Sequence, residues 1–164
     1  MASISSRIVE ICVFKATHDE PTYLLLKRSA SETLYPGIWQ IVTGVVEGDE
    51  HAVSTALREL REETALRPKR LWIVPYVDVF YSAPTDTVIT SPVFAVEVAE
   101  SDEPKLSAEH QEFRWCLYRE AKELAVWRGQ KAALKRVQNY VEGGLKSGTF
   151  VEIKDFSRFE RNAP

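Results

Sequence analysis

Cysteine is scarce: Cys12 and Cys116 are the only two in 164 residues, too few for a disulfide framework or a zinc site. Each stands in an apolar run, where a cysteine reads as a small buried hydrophobe. No apolar run approaches the roughly 18 residues that a membrane helix needs. The short polar start, residues 1–6, has neither the basic nor the apolar block of a signal peptide. A reducing cytoplasm is therefore the expected compartment, with no membrane partner. Seven glycines and eight prolines exclude collagen-like and low-complexity architectures. An excess of one charge is also missing: 21 Lys plus Arg stand against 24 Asp plus Glu, a formal net charge of -3. A protein built to grip nucleic-acid backbone is normally basic, so nucleic acid is not an expected partner.

What the chain does have is 45% hydrophobic and 10% aromatic residues, enough for one domain with its own core over residues 1–164. Residues 7–15, 23–27 and 39–43 read as strands. Helical periodicity follows, with Ala52, Val53, Ala56, Leu57 and Leu60 on one face. Asp49 is the expected cap, and Pro68 stops the helix beyond Arg67. Residues 71–81 and 88–98 are rich in Val, Ile, Phe, Trp and Tyr, as strands are. Pro75 and Pro92 interrupt them and mark edges or bulges. Residues 113–118 form a further short strand. Residues 129–142 repeat the helical pattern through Ala133, Leu134, Val137, Tyr140 and Val141, and Gly143-Gly144 ends it. The tail, residues 146–164, carries Phe150, Val151, Ile153, Phe156 and Phe159, which need a surface to pack on, either this domain or a second copy. The order β-β-β-α-β-β-β-α predicts an α+β fold, a mixed β-sheet sandwiched between α-helices.

The first helix carries an unusual charge pattern. Glu59, Glu62 and Glu63 project within one sector about 100° wide, away from the apolar stripe. Such crowding costs a few tenths of a kcal/mol per pair in an isolated helix. It is either a solvated face, with Arg58 and Glu62 as an ordinary ion pair, or a carboxylate cluster for a hard divalent cation such as Mg²⁺.

The surrounding spacing favours the cluster. Gly44, five residues, Glu50, seven residues, then Arg58-Glu59-Leu60-Arg61-Glu62-Glu63-Thr64-Ala65-Leu66 resembles the Nudix box, G-x5-E-x7-R-E-U-x-E-E-x-G-U, with Ala65 in place of the last Gly. The resemblance to Nudix hydrolases implies a loop-helix-loop site over residues 44–66. Gly44 would turn the chain into the loop. Glu50 and Arg58 would be structural, with Arg58 orienting carboxylates by charge-assisted hydrogen bonds. Glu59 and Glu63 would hold Mg²⁺, with Mn²⁺ as a substitute. Glu62 would be a further ligand or help to activate water. Ala65 implies a slightly strained turn rather than lost chemistry.

Downstream, Glu109-His110 followed by Trp115 is similar to the pattern of the bacterial dihydroneopterin triphosphate and dATP pyrophosphohydrolases. That likeness implies Glu109 as a metal ligand and catalytic residue beside Glu62 and Glu63, with Glu112 as second choice. The stretch 39–44 and the pair Trp127 and Gln130 look like the same branch. By that analogy Thr43, Gly44, Arg28 and Arg7 would contact substrate, whereas Trp39 and Trp115 read as core. Tyr81 and Pro84 lie where other branches carry a marker residue, without matching either cleanly. The resemblance therefore implies Mg²⁺-dependent hydrolysis of a (deoxy)nucleoside triphosphate or dihydroneopterin triphosphate to monophosphate and pyrophosphate. The alternatives are ADP-ribose, dinucleoside polyphosphate or oxidised dGTP as substrate, or a non-catalytic nucleotide-binding module. The partner is a small-molecule nucleotide or pterin polyphosphate, and the chain a monomer or homodimer.

Overall fold

The computed structural model describes residues 1–146 and 148–160; the end of the expected tail, residues 161–164, and position 147 lie outside them. Strand β2 (Ile8–Lys15) is buried along almost its whole length, because both faces of the sheet are covered. Alternation sends Val9, Ile11 and Val13 to one core and Cys12 and Phe14 to the other. Around it lie β1 (Ser3–Ser5), β3 (Thr22–Arg28), β4 (Trp39–Gln40), β5 (Val42–Val45), β6 (Arg70–Ser82), β7 (Thr87–Val98), β8 (His110–Leu117) and β9 (Val151–Glu152). They form one nine-stranded sheet in which β7 runs parallel to β1 and β2 while the other ladders are antiparallel. Helix α1 (Ala52–Thr64) lays Ala56, Leu57 and Leu60 on one face; α3 (Arg128–Glu142) lays Ala133, Leu134, Val137 and Tyr140 on the other. The expected mixed sheet between helices is what forms.

Several local expectations are corrected. The strand foreseen at 39–43 is two: β4 pairs with β3, whereas β5 pairs with β2. Helix α1 is preceded by His51, with no side-chain cap, rather than capped by Asp49. It ends three residues before Arg67, because Ala65 takes the left-handed conformation at φ 57° and its N–H closes on the Arg61 carbonyl. Strand β8 begins at His110, and Tyr118 instead opens α2 (Tyr118–Leu124), too short to show a helical period. Pro75 lies in the register shift between Ile73 and Val77. Pro92 falls in the gap on β7 between its pairing with β1, ending at Ile89, and with β2, starting at Val93. A missing N–H costs no ladder bond there.

Both cysteines are buried and free, and burial pushes the Cys116 thiol up to about 12. The tail packs on this domain. Phe150 stacks on Tyr140 at 3.9 Å, and Ile153, Phe156 and Phe159, the last from α4 (Ser157–Glu160), join the core beneath α1.

The left-handed Ala65 generates a test. A non-glycine residue there costs roughly 1 kcal/mol. Ala65→Gly should therefore stabilise the chain by up to about 1 kcal/mol, raising Tm by about 2–4 °C in a thermal melt.

Candidate active site

The site begins with the contact between β5 and α1. A Cβ built on Gly44 would lie 2.0 Å from Glu59 Cγ, so only glycine lets the helix come this close. Gly44 sits inside β5 and is not among the positive-φ residues; the loop's left-handed glycine is Gly48, at φ 51°. The expectation that Gly44 makes the turn is thus corrected: its role is close approach. The Glu59 carboxylate accepts from the Val45 N–H at 3.1 Å, which pins it against the strand.

Arg58 is the hub. Its guanidinium is buried and donates to Glu50 (3.1 and 3.3 Å), Glu62 (3.0 Å) and the Val45 carbonyl (2.8 Å), and it pairs with Glu59 at 2.9 Å. Burial alone would raise the Glu50 carboxyl. Hydrogen bonds from Arg58 and from the Thr55 hydroxyl (2.8 Å) outweigh it and hold that group below the usual glutamate range. Glu50 and Arg58 are thus held against each other at the start of α1.

Glu63 contrasts with these. It is buried, and its Oε2 has no hydrogen-bond partner. Burial, then the neighbouring charges of Glu59 and Glu109, hold its carboxyl well above the ordinary value, against a smaller opposing pull from Arg28. Glu109 arrives because the segment before β8 docks on the end of α1. There Lys105 N–H donates to the Thr64 carbonyl (2.8 Å) and Ser107 N–H to that of Glu63 (3.2 Å). The Glu109 carbonyl in turn accepts from Ser29 N–H at 2.7 Å. His110 beside it is buried with neither ring nitrogen partnered, and burial, with Arg28, lowers it to about 4, a neutral imidazole.

Glu59, Glu62 and Glu109 therefore lie near enough to Glu63 for their charges to bear on it. Among the described residues, no three acidic, histidine or cysteine side chains stand close enough to hold a metal ion as they are arranged. The donor set nevertheless fits a hard divalent cation. Oxygen ligands are gathered, the buried Glu63 oxygen lacks a partner, and Glu62 and Glu109 are exposed side chains able to turn inward.

The other expected residues are placed less uniformly. Arg28 pairs with Glu32 (2.7 Å) and donates to the Leu34 carbonyl (2.9 Å), tying loop 29–38 to the cleft. Arg7 is exposed and donates to the Val46 carbonyl at 3.2 Å, beside the loop that precedes α1. Thr43 pairs with Glu10 across β2 and lies on the α3 side of its strand, opposite to Gly44. Glu112 is engaged by Arg114 and Lys27, away from the cluster. Trp39 and Trp115 are half-buried beside the two cores.

Two groups escaped sequence reasoning. Glu10 is 3% exposed under α3 with Oε2 unpartnered. Burial and the Asp78 carboxylate push it up to about 8, against a hydrogen bond from Gln130. Asp78 fills the space beside Gly129, where a Cβ would lie 1.8 Å from its Oδ2. A lone acid within an otherwise apolar strand was the available signal for Glu10. The second group is the edge-to-face pair Tyr35–Trp127, 4.8 Å between centroids, with Tyr35 left-handed at φ 53° and 58% exposed.

A family model described as NUDIX domain matches residues 6–137. The chain is 34% identical over 137 residues to an octanoyltransferase of Myxococcus xanthus, covering 79% of the chain but only 36% of that protein. It is 33% identical over 128 residues to the asymmetrical bis(5'-nucleosyl)-tetraphosphatase of Mus musculus, covering 75% of the chain and 84% of that enzyme. Among solved structures, the E. coli dihydroneopterin triphosphate pyrophosphohydrolase superposes with a TM-score of 0.64 at 25% identity, covering 80% of this chain and 94% of that one.

Arg58→Ala should cost about 3–5 kcal/mol in urea unfolding, because it strands the buried Glu50 charge. Glu63 tests the cation site directly. Its folded-state carboxyl lies above the unfolded value, so the stability of its neutral form is present at low pH and lost as pH rises. Glu63→Gln should therefore raise Tm at neutral pH in EDTA, and should blunt the rise in Tm that Mg²⁺ produces in the wild-type chain.

Proposed function

The chain belongs to the NUDIX domain family and is a Nudix hydrolase, and from that premise we propose a Mg²⁺-dependent pyrophosphohydrolase. It cleaves a (deoxy)nucleoside triphosphate or dihydroneopterin triphosphate to the monophosphate and pyrophosphate. The observation that carries this reading is the buried, unpartnered Glu63 oxygen flanked by Glu59, Glu62 and Glu109. Acidic side chains gathered around a polyphosphate site would repel it unless a cation neutralised them. A divalent ion held there supplies Lewis-acid chemistry, activating water and spreading the charge of the transferring phosphoryl group; Mn²⁺ is a substitute.

The chain's own residues do the rest. Arg58 holds the carboxylates of Glu59 and Glu62 on one side of α1. Water adds to phosphorus, the bond to the leaving phosphate oxygen breaks, and the water proton passes to a carboxylate of the group Glu62, Glu63 and Glu109. Arg28 and Arg7, at the two loops bordering the cleft, meet phosphate oxygens, and the β5 segment with Thr43 and Gly44 borders the substrate. The Tyr35–Trp127 pair offers an aromatic surface for the planar ring, reached through the loop that Arg28 anchors. Residues 1–164 act as one catalytic domain, and two buried free thiols suit a reducing cytoplasm.

A second substrate, a dinucleoside polyphosphate, is favoured by the 33% identity to the mouse tetraphosphatase. A non-catalytic module is disfavoured by the retention of all four glutamates.

The experiment is a Mg²⁺ titration against dihydroneopterin triphosphate, dATP, an oxidised guanine nucleotide, ADP-ribose and a dinucleoside tetraphosphate, following phosphate products. Pyrophosphate release from a triphosphate is expected. Turnover of the tetraphosphate alone would move the assignment to the second reading, and no turnover of any compound would overturn both. With the preferred substrate, Glu63→Gln should lower kcat by at least about 10²-fold. Trp127→Ala should instead raise KM by about 10-fold or more with kcat largely kept, the size of a lost ring stack.

A further inference from the structure

Glu10 and Asp78 are two buried acids that the proposed hydrolysis leaves unused, and both meet the first turn of α3. Gln130 is the link to Glu10. Its amide donates to that carboxyl while its own oxygen accepts the Ile41 N–H at 3.1 Å. Gly129 is the link to Asp78, whose carboxylate occupies the space that any Cβ there would need. Helix α3 has no side-chain cap and no acid in its first turn. The Asp78 carboxylate, brought from β6, therefore lies beside a helix end whose dipole favours an anion. Its Oδ1 accepts from the Val79 N–H at 2.9 Å and from the Tyr76 hydroxyl at 3.2 Å. Glu10 is served less well, since its Oε2 has no partner.

Two neighbouring buried carboxyls ionise together only at a cost. Around Glu10 stand Thr43 of β5, Val93 of β7, Asp78 and Tyr76 of β6, Gln130 of α3, and Cys12 on its own strand. Arg136 of α3 lies over the Tyr76 ring at 4.2 Å. Burial and the Asp78 charge hold Glu10 up to about 8, so at neutral pH it is uncharged. Trp127 stands immediately before this turn, and its carbonyl accepts the Lys131 N–H at 3.1 Å. The preceding Val126 N–H reaches the Trp39 carbonyl at 3.2 Å. The chain thus enters α3 pinned to β4 on one side and to the two acids on the other. We propose that Glu10 is a positioning residue: in its neutral form it lets Asp78 lie against the first turn of α3, and so sets the Trp127 ring for the substrate. Ionised Glu10 repels Asp78 against Gly129, where no space is left, and the turn that carries Trp127 gives way. This role rests on the reading of Trp127 as a ring-stacking side chain. It governs affinity rather than chemistry, because Glu59 and Glu63 belong to the helix across the sheet.

Two measurements test this, and only one needs a substrate. In the full chain alone, the Trp127 fluorescence, taken as the difference from Trp127→Phe, should change as pH rises through about 8. Glu10→Gln, fixed in the neutral form, should abolish that transition. Its Tm should exceed the wild-type value at alkaline pH and approach it at acid pH, because a carboxyl raised on folding loses its contribution as pH rises. With the preferred substrate, wild-type KM should rise by at least about 3-fold between about pH 7 and about pH 9, toward the roughly 10-fold of a lost ring stack. That rise should be absent from Glu10→Gln, while the kcat profile is common to both chains. Gly129→Ala, which forces Asp78 aside, should raise KM at every pH with kcat kept. A Trp127 signal that stays flat through this range, or that survives in Glu10→Gln, would overturn the positioning role. A signal that moves while KM does not would support the positioning of Trp127 and overturn the stacking reading beneath it.

Discussion

The candidate site depends on one buried guanidinium. Arg58 ties together Glu50 from the loop, Glu59 and Glu62 from its own helix, and the Val45 carbonyl from β5. Loop, helix and strand are thereby locked by charge-assisted bonds in addition to the apolar packing of α1. Three carboxylates beside one cation would ordinarily spread into solvent. Here the planar fork holds each at a set angle, and Gly44 removes the one Cβ that would keep the helix off the strand. Glu63 is left outside this network, which is why its oxygen is unsatisfied and why burial and its acidic neighbours bear on it so strongly.

That arrangement needs a rigid platform, which the two-sided sheet provides. Strand β2 contributes alternate side chains to the cores under α1 and under α3, so neither helix can shift without disturbing a strand that both share. The acidic helix is held by Ala56, Leu57 and Leu60 on its inner side. Its outer carboxylates are thereby aimed at the segment before β8, whose amides satisfy the last helical carbonyls and deliver Glu109. Packing, in this protein, sets where charge is allowed to collect.

Much of this was legible in the residues. The apolar stripe of α1 and the angular sector of Glu59, Glu62 and Glu63 follow from helix geometry alone, and so does the pairing of Arg58 with Glu62 one turn away. The long strands β6 and β7 announce themselves through β-branched and aromatic residues. Short elements did not, because two or three residues such as those of β1, β4 and β9 hold no period. The turn at Ala65 is legible in the spacing of residues 44–66, whereas Pro68 alone marks only an outer limit for the helix, three residues beyond. The role of Gly44 is not legible in this way. Sequence records that a glycine is present but not whether conformational freedom or close approach requires it.

Covalent spacing is thus what the sequence determined by itself: which glutamates share a helix face, which residues fill each core, and the family to which those spacings point. Contacts between distant segments were decided only in the folded chain. Loop 29–38 is anchored beside Glu109 by Arg28 and Ser29, and Glu10 is set beside Asp78 under α3. Each depends on strand register, and a shift of one residue would turn every side chain of a strand to the opposite side. Register is settled by the whole sheet at once, so no local stretch of sequence contains it.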